Sequence, residues 1–309
     1  MNSTIIDLTK SMSVYEFLQK FPDEKAAIAF FEARRWGNRP YCPHCGSLSV
    51  SRVPSGKPMP YRCKDCRKHF SVRTGTVLAE SKLPLHNWLL AIYMLHTARK
   101  GVSSIQLAKE IGVTQKTAWF LNHRIRESMN HRGGLLKGEV EADETYIGGK
   151  ETNRHASKRL NVGRGTAGKQ AVLGLRERDG VTRAFPIDGT DRIKIQSAIV
   201  ENVKRGSTIY SDSHSGYEGM KGYNHQSVEH SVGEYVRDQI HTNGVESFWS
   251  LLKRGYVGIY HKMSFKHLPR YVNEFSYRQN AKNLDMTSCI SATIDDMIGR
   301  RLSYEELIA

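Results

Sequence analysis

Residues 241–253 read HTNGVESFWSLLK, and the rest of the chain is best read outward from them. Phe248, Trp249, Leu251 and Leu252 form the apolar side of a helix that Asn243 would cap, with Glu246 in the first turn and Lys253 further along. Asn243, Glu246, Ser250 and Lys253 follow one another at spacings of three, four and three, so they share one face. A carboxylate and a lysine on the polar side of such a helix mark either a solvated surface or a site. Two upstream aspartates favour a site. Asp143 lies within GEVEADETYIG (138–148) and Asp212 ends STIYSD (207–212), each in an apolar, strand-like run where a carboxylate is costly unless something cationic accepts it.

Aspartates on adjacent strands, joined by Glu246 from a helix, can hold two Mg²⁺ ions a few Å apart for attack on a phosphodiester. Lys253 could steady a phosphate on the same helical face. Strand alternation puts Glu141 on the face of Asp143 and Glu144 on the opposite one. The segments around these residues alternate between strand and helix. KQAVLGLRERDGVTRAFPID (169–188) predicts two strands joined at Asp179-Gly180, and DRIKIQSAIVENVKRG (191–206) predicts a helix ended by Gly206. A short helix start at SHSGYEGM and a strand near HQSVEHS complete an α/β layer domain. The Gly-, Lys- and Arg-rich stretch 148–169 is expected to be a mobile loop that orders on a polyanion or a plain insertion, and its GRGTAGK departs from the phosphate-loop spacing.

Charge agrees with a nucleic-acid partner. The 46 Lys and Arg outnumber 31 Asp and Glu, leaving a formal charge of +15. No apolar run approaches the roughly 20 residues of a spanning helix, so a membrane partner is excluded from the expectation. The opening MNSTIIDLTKS lacks the basic start and apolar stretch of a signal peptide, which predicts a cytosolic chain in a reducing compartment. In that compartment paired cysteines point to metal. Cys42-Pro-His-Cys45 and Cys63-Lys-Asp-Cys66 enclose seventeen residues rich in Gly and Pro, the layout of a zinc ribbon in which four thiolates hold one structural Zn²⁺. Arg52, Lys57, Arg62, Lys64, Arg67, Lys68 and Arg73 make this ribbon basic, suited to phosphates, with protein contact as the alternative. The fifth cysteine, Cys289, reads as an ordinary half-buried residue.

On either side of the ribbon the pattern is helical. Residues 12–36 predict one helix beginning after Pro22, and Pro84 starts another that Gly101 ends. SSIQLAKEIGVTQKTAWFLNHRIRESM (103–129) has the layout of a helix-turn-helix: Ser103 or Ser104 and Thr114 as caps, Gly112 at the turn. Ala118, Trp119, Leu121 and Ile125 are expected to face its core, and Gln115, Lys116, Asn122 and Arg124 to face outward towards DNA bases. Further on, 254–280 interleaves Tyr256, Tyr260, Tyr271 and Tyr277 with basic residues that include Arg254, either for DNA backbone contact and stacking or as core aromatics.

Taken together, YCPHCGS…YRCKDC, the helix-turn-helix, VEADETYIGGK, YSDSHSGY and HTNGVESFWSLLKRGYVGIYHKMSFKHLPRYVNEFSYRQN resemble the bacterial insertion-sequence DDE transposases with an N-terminal zinc ribbon, the ISXO2-like family. The resemblance covers about Phe21 to Asn280. It implies a multi-domain α/β protein: an N-terminal helical segment (1–36), a zinc ribbon (37–78), a helix-turn-helix DNA-binding domain (79–134), an RNase H-like catalytic domain (135–284) and a C-terminal helical tail (285–309). It further implies Asp143, Asp212 and Glu246 as ligands of two Mg²⁺ or Mn²⁺ ions, with Asn243 as the alternative third ligand and Lys253 as the accompanying base. The implied activity is cleavage at terminal inverted repeats, followed by attack of the freed 3′-OH ends on target DNA. The partners would be those DNAs and further copies of the chain, as a homodimer or higher oligomer, with no small-molecule substrate, in the cytoplasm at the nucleoid. The alternative is a catalytically inert zinc-ribbon/helix-turn-helix regulator.

Overall fold

The computed structural model describes residues 11–130, 133–149, 155, 157, 166, 168–178, 180–228 and 241–309. In chain order the helices are α1 (Val14–Lys20), α2 (Glu24–Trp36), α3 (Leu85–Thr97), α4 (Ser104–Ile111), α5 (Gln115–Ser128), α6 (Arg192–Asn202), α7 (Asn243–Gly255), α8 (Leu268–Asn280), α9 (Met286–Asp296) and α10 (Tyr304–Ile308). The strands are β1 (Val50–Arg52), β2 (Tyr61–Cys63), β3 (His69–Phe70), β4 (Glu139–Ile147), β5 (Gln170–Glu177), β6 (Thr182–Ile187), β7 (Thr208–Asp212) and β8 (Asn224–Val228). The chain divides into two units. One comprises the described residues through Met129 together with Asn283–Ala309, and the other spans Asn130–Lys282. Among the described residues no helix is long and apolar enough to cross a membrane.

In the first unit, where one helix was expected over 12–36, there are two. The Ser13 hydroxyl accepts from the Glu16 amide while the Glu16 carboxylate accepts from the Ser13 amide, a capping box that starts α1. The helix stops at Phe21, because Pro22 disfavours a helical residue before it, and Asp23 caps α2. Phe17 anchors the short α1 against Tyr93 of α3, ring centroids 4.7 Å apart. The ribbon strands pair antiparallel in the order β1-β2-β3, and Tyr61 stacks on Phe70 with Trp36 of α2 edge-on to both rings. Helix α9 packs on α3, and α10 on α5 through Tyr304 and Phe120, so the C-terminal residues complete this unit. Cys289 is buried in it, its thiol 3.9 Å from the Leu284 carbonyl, and burial pushes that thiol up to about 11.

The second unit is built on a five-stranded sheet of order β6-β5-β4-β7-β8. β4, β5 and β6 form an antiparallel meander, and β7 and β8 continue it in parallel with β4. Apolar residues lie on both faces of the sheet, so two cores form. Val140, Ala142, Leu173, Leu175 and Ile209 pack with Ile195 and Ile199 of α6, whereas Ile147, Val172 and Ala184 pack with α7 and α8 through Val245, Phe248, Leu252, Leu268 and Phe275. Helix α6 ends at Asn202, earlier than the expected Gly206, with Val203 already extended. Within 254–280 the aromatic residues divide. Tyr271 is buried, and Tyr260 donates to the Glu274 carboxylate at 2.9 Å, which is also paired with Arg278 at 2.5 Å in the interior.

Gly174 of β5 sets how closely α7 approaches the sheet. A Cβ there would lie 2.5 Å from Trp249 Cζ2 and 2.7 Å from Val245 Cγ2, so the helix rests directly on the strand backbone. Gly174→Ala is expected to destabilise the protein by about 1–3 kcal/mol, the scale of core overpacking. The check is the midpoint of urea unfolding at unchanged slope.

Candidate functional site

Parallel pairing sets the relation between the two aspartates. Glu139, Val140 and Glu141 of β4 pair with Thr208, Ile209 and Tyr210 of β7. Two residues further along each strand, that register brings Asp143 level with Asp212 at the end of β7. Asp143 is largely buried and its Oδ2 accepts a hydrogen bond from Trp249 Nε1 at 2.9 Å. Burial, with Glu144 and Asp212 adding negative charge nearby, pushes the Asp143 carboxyl up to about 7. Asp212 is half-exposed, and its Oδ1 accepts from the His214 amide at 3.1 Å, which starts the 3₁₀ turn Ser215–Tyr217. That turn returns Tyr217 to the opposite face of β4, where its hydroxyl donates to Glu144 at 2.7 Å. Burial raises both the Glu144 carboxyl and the Tyr217 phenol.

Helix α7 begins differently from the expectation. Asn243 is its first helical residue, the capping position is Thr242, and no side chain at that position accepts a backbone amide. The amide of Val245 is instead accepted by Glu141 Oε2 at 2.9 Å, from a carboxylate 2% exposed on the Asp143 face of β4. Arg176, the β5 residue opposite Glu141, donates to the Gly244 carbonyl at 2.6 Å. His241 Nδ1 lies 3.4 Å from Glu141 Oε1. Thus a buried carboxylate satisfies the first turn of α7 in place of Asn243, whose side chain faces solvent. Along the same outward face, Ser250 and Lys253 are exposed and Glu246 is half-buried, its Oε1 accepting from the Thr242 hydroxyl at 2.8 Å.

Asp143, Asp212 and Glu246 offer oxygen donors only, a set that suits a hard cation such as Mg²⁺ or Mn²⁺. They do not crowd together. Among the described residues, ligand atoms of three or more His, Cys, Asp or Glu gather within 4.8 Å of one another only at the four cysteines. There, Cys42 Sγ lies 3.6 Å from Cys66 Sγ, and Cys45 Sγ 3.7 Å from Cys63 Sγ. Each Cys-x-x-Cys is followed by a residue in the left-handed region, Gly46 at φ 75° and Arg67 at φ 58°, so both loops turn their thiols to a common point. The Cys66 backbone amide draws the Cys63 thiol down to about 7, while burial and the neighbouring thiols hold Cys45 and Cys66 above the ordinary thiol value, so Cys63 is the first of these three to offer a thiolate. Four sulfur donors and no free position are the chemistry of a closed, structural zinc site. Arg52, Lys57, Arg62, Lys64, Arg67 and Lys68 stand exposed around it, whereas Arg73 is turned inward, 3.7 Å from Glu24.

For α4 and α5 the expected caps are present: Ser103 accepts from Gln106, Thr114 accepts from Thr117, and Gly112 is left-handed at φ 67°. Gln115 and Lys116 are exposed at the start of α5, the former donating to Ser104 Oγ and the latter lying 4.7 Å from the Tyr304 ring. Asn122 and Arg124, expected to face outward, are instead 1% and 6% exposed. The Arg124 guanidinium donates to the Ala79 carbonyl and packs on the rings of Trp88 and Phe120, and burial lowers its pKa to about 10. A planar, delocalised cation can be stacked and hydrogen-bonded at once, which residue spacing alone does not reveal. Trp119, expected in the core, is half-exposed and edge-on to His123. Arg254 is exposed in the last turn of α7. The basic stretch between β4 and β5 lies mostly outside the described residues, as does Asp179 of the expected hairpin turn.

Sequence reasoning did not assign roles to Trp249, Gly174, Glu141 and Tyr217. Two signals were available: a lone glycine in the branched run AVLGLR marks close approach of another element, and a buried indole N–H requires an acceptor.

Comparison with known proteins gives a consistent result. Residues 135–280 match the model of the ISXO2-like transposase domain, and residues 22–69 match that of the transposase zinc-ribbon domain. Over 275 residues, 85% of this chain and 92% of the relative, the sequence is 30% identical to a protein of Halobacterium salinarum described as an uncharacterized protein in transposable element ISH50.

Proposed function

From the chain's membership of the ISXO2-like transposases, which carry a zinc ribbon and a DDE domain, we propose that it cleaves DNA at the terminal inverted repeats of an insertion sequence and transfers the freed 3′-OH ends into target DNA. The observation that carries this reading is the strand register that sets Asp143 level with Asp212, beneath the helix that bears Glu246. The strand order supports an RNase H-like domain, and the caps and turn of α4 and α5 support a helix-turn-helix. In this function Asp143, Asp212 and either Glu246 or Asn243 would hold two divalent cations, which would supply activation of the attacking oxygen and stabilisation of the leaving one. The chain's own residues do the positioning. Lys253 and Arg254 meet the phosphate backbone from the outward face and end of α7, while Gln115 and Lys116 approach base edges. In cleavage, a water oxygen bonds to phosphorus as the P–O3′ bond breaks, leaving a 5′-phosphate and a 3′-OH. In transfer, that 3′ oxygen bonds to a target phosphorus as the target's own P–O3′ bond breaks.

The protein would act in the cytoplasm, on nucleoid DNA, as a homodimer or higher oligomer bridging two element ends. A direct test is incubation of the full chain with DNA carrying the element's native ends in Mg²⁺, mapping every nick at nucleotide resolution. Nicks with 3′-OH ends at the repeat boundaries support the function. Tight binding without nicks replaces it with the DNA-binding regulator, and cutting without regard to end sequence replaces it with a structure-directed nuclease.

A pH dependence follows from the raised Asp143 carboxyl. Because its proton is held up to about 7, a cation must displace that proton below this value. Mn²⁺ affinity is expected to fall roughly tenfold for each pH unit below about 7 and to level off above it. Calorimetric titration across pH 5.5 to 8.5 checks this; an affinity flat across that range contradicts it.

A further inference from the structure

Trp249 is buried in the core between α7 and the sheet, and its indole nitrogen has a specific partner there. Its ring lies over Gly174, the β5 residue that pairs directly with Asp143 across the strands, and its indole N–H donates to Asp143 Oδ2 at 2.9 Å. The contact is possible because no Cβ intervenes at Gly174. One turn earlier on the helix, Val245 is fastened to Glu141 on the same face of β4, and Gly244 to Arg176 on β5. Three hydrogen bonds therefore tie α7 to β4 and β5, and the Trp249 bond ends on a candidate metal ligand. An indole N–H is a donor only, so it occupies one lone pair of Oδ2; with the Glu144 amide also acting on the carboxylate, lone pairs still remain for a cation.

Resting on the transposase reading above, we infer that Trp249 is a positioning residue. Its indole N–H fixes the rotation of the Asp143 carboxylate, so that its remaining lone pairs are held for a cation shared with Asp212, and it sets the distance at which α7 delivers Glu246. The consequence is a division of labour along the helix: the inward side orients one ligand while the outward side supplies another. An orienting partner behind a ligand typically changes metal affinity by tenfold or more when removed.

The test uses the full chain with its zinc, comparing wild type with Trp249→Phe, which keeps an aromatic ring on Gly174 but lacks the donor. Mn²⁺ is titrated calorimetrically, and unfolding is followed in parallel. The expected result is roughly tenfold weaker Mn²⁺ binding by Trp249→Phe, with cleavage restored in part by raised Mn²⁺ and with a cooperative fold. Gly174→Ala, which displaces the ring, is expected to weaken Mn²⁺ binding in the same sense. Equal Mn²⁺ affinity in wild type and Trp249→Phe overturns the inference while leaving the transposase reading intact, since Trp249 would then be a core residue only. If the two substitutions unfold the chain, Trp249→His, whose ring can still donate, decides: recovery of fold and Mn²⁺ binding supports positioning, and recovery of fold alone overturns it. Absence of Mn²⁺ binding by the wild type, or its failure to cleave, sinks the proposed function and this inference with it.

Discussion

Asp212→Asn is expected to lower strand cleavage by on the order of 10³-fold, the scale on which removal of a preorganised charge-stabilising group acts. Affinity for element-end DNA is expected to stay unchanged. The side chain is half-exposed at the tip of β7, and its amide replacement is nearly isosteric and can still accept from the His214 amide. The fold should therefore survive. What disappears is a negative charge beside Asp143, and with it the pull on a divalent cation between the two aspartates. A stability change or lost DNA binding would show that Asp212 works mainly as the cap of the turn that follows it. The matching change at Asp143 would also replace the charged acceptor of the Trp249 indole in the interior, so its effect combines lost cation binding with an altered α7 contact.

Removal of zinc is the second large effect. The ribbon consists of three strands of three, three and two residues, with a core that amounts to little beyond Tyr61, Phe70 and the edge of Trp36. So small a sheet cannot offset the entropy of ordering its loops. Structural zinc in sites of this kind contributes about 10 kcal/mol or more of apparent binding energy, all of it linked to folding. Chelation, or Cys63→Ser, is expected to unfold residues 42–70 and to abolish DNA binding that depends on the exposed Arg62, Lys64, Arg67 and Lys68. Protease sensitivity confined to this segment, together with released zinc measured by a colorimetric dye, checks the outcome. A ribbon that stays protected after chelation contradicts it.

Which features were legible in the sequence depended on how far apart their causes lie in the chain. The four cysteines were legible because short knuckle spacing alone dictates a shared ligand point. The outward face of α7 was legible because helical period places Asn243, Glu246, Ser250 and Lys253 together without reference to anything else. Helix α1 carried its own signal in Ser13 and Glu16, but seven residues ahead of Pro22 fall below the length at which periodicity speaks. Elsewhere the cause was tertiary. Asn243 looks like a cap until Glu141, about a hundred residues earlier, is found accepting the amide of Val245. Arg124 looks like a DNA-facing cation until Trp88, Phe120 and the Ala79 carbonyl are seen to enclose it. Trp249 looks like one more apolar residue until Gly174 clears its path to Asp143. In each of these cases a polar group found its partner on a different element, and no local pattern encodes that partner.

The central claim is that the level aspartates in the middle of β4 and at the end of β7 join DNA. It is tested most directly by strand transfer: a fluorescent duplex ending in the element's terminal repeat, a supercoiled target plasmid, Mg²⁺ and the full chain, with wild type and Asp212→Asn side by side. The account predicts that the wild type links the labelled 3′ end covalently to the plasmid, and that neither Asp212→Asn nor wild type in excess EDTA does so. Tight binding of the repeat by the wild type with no joined product, or equal joining by Asp212→Asn, would contradict it.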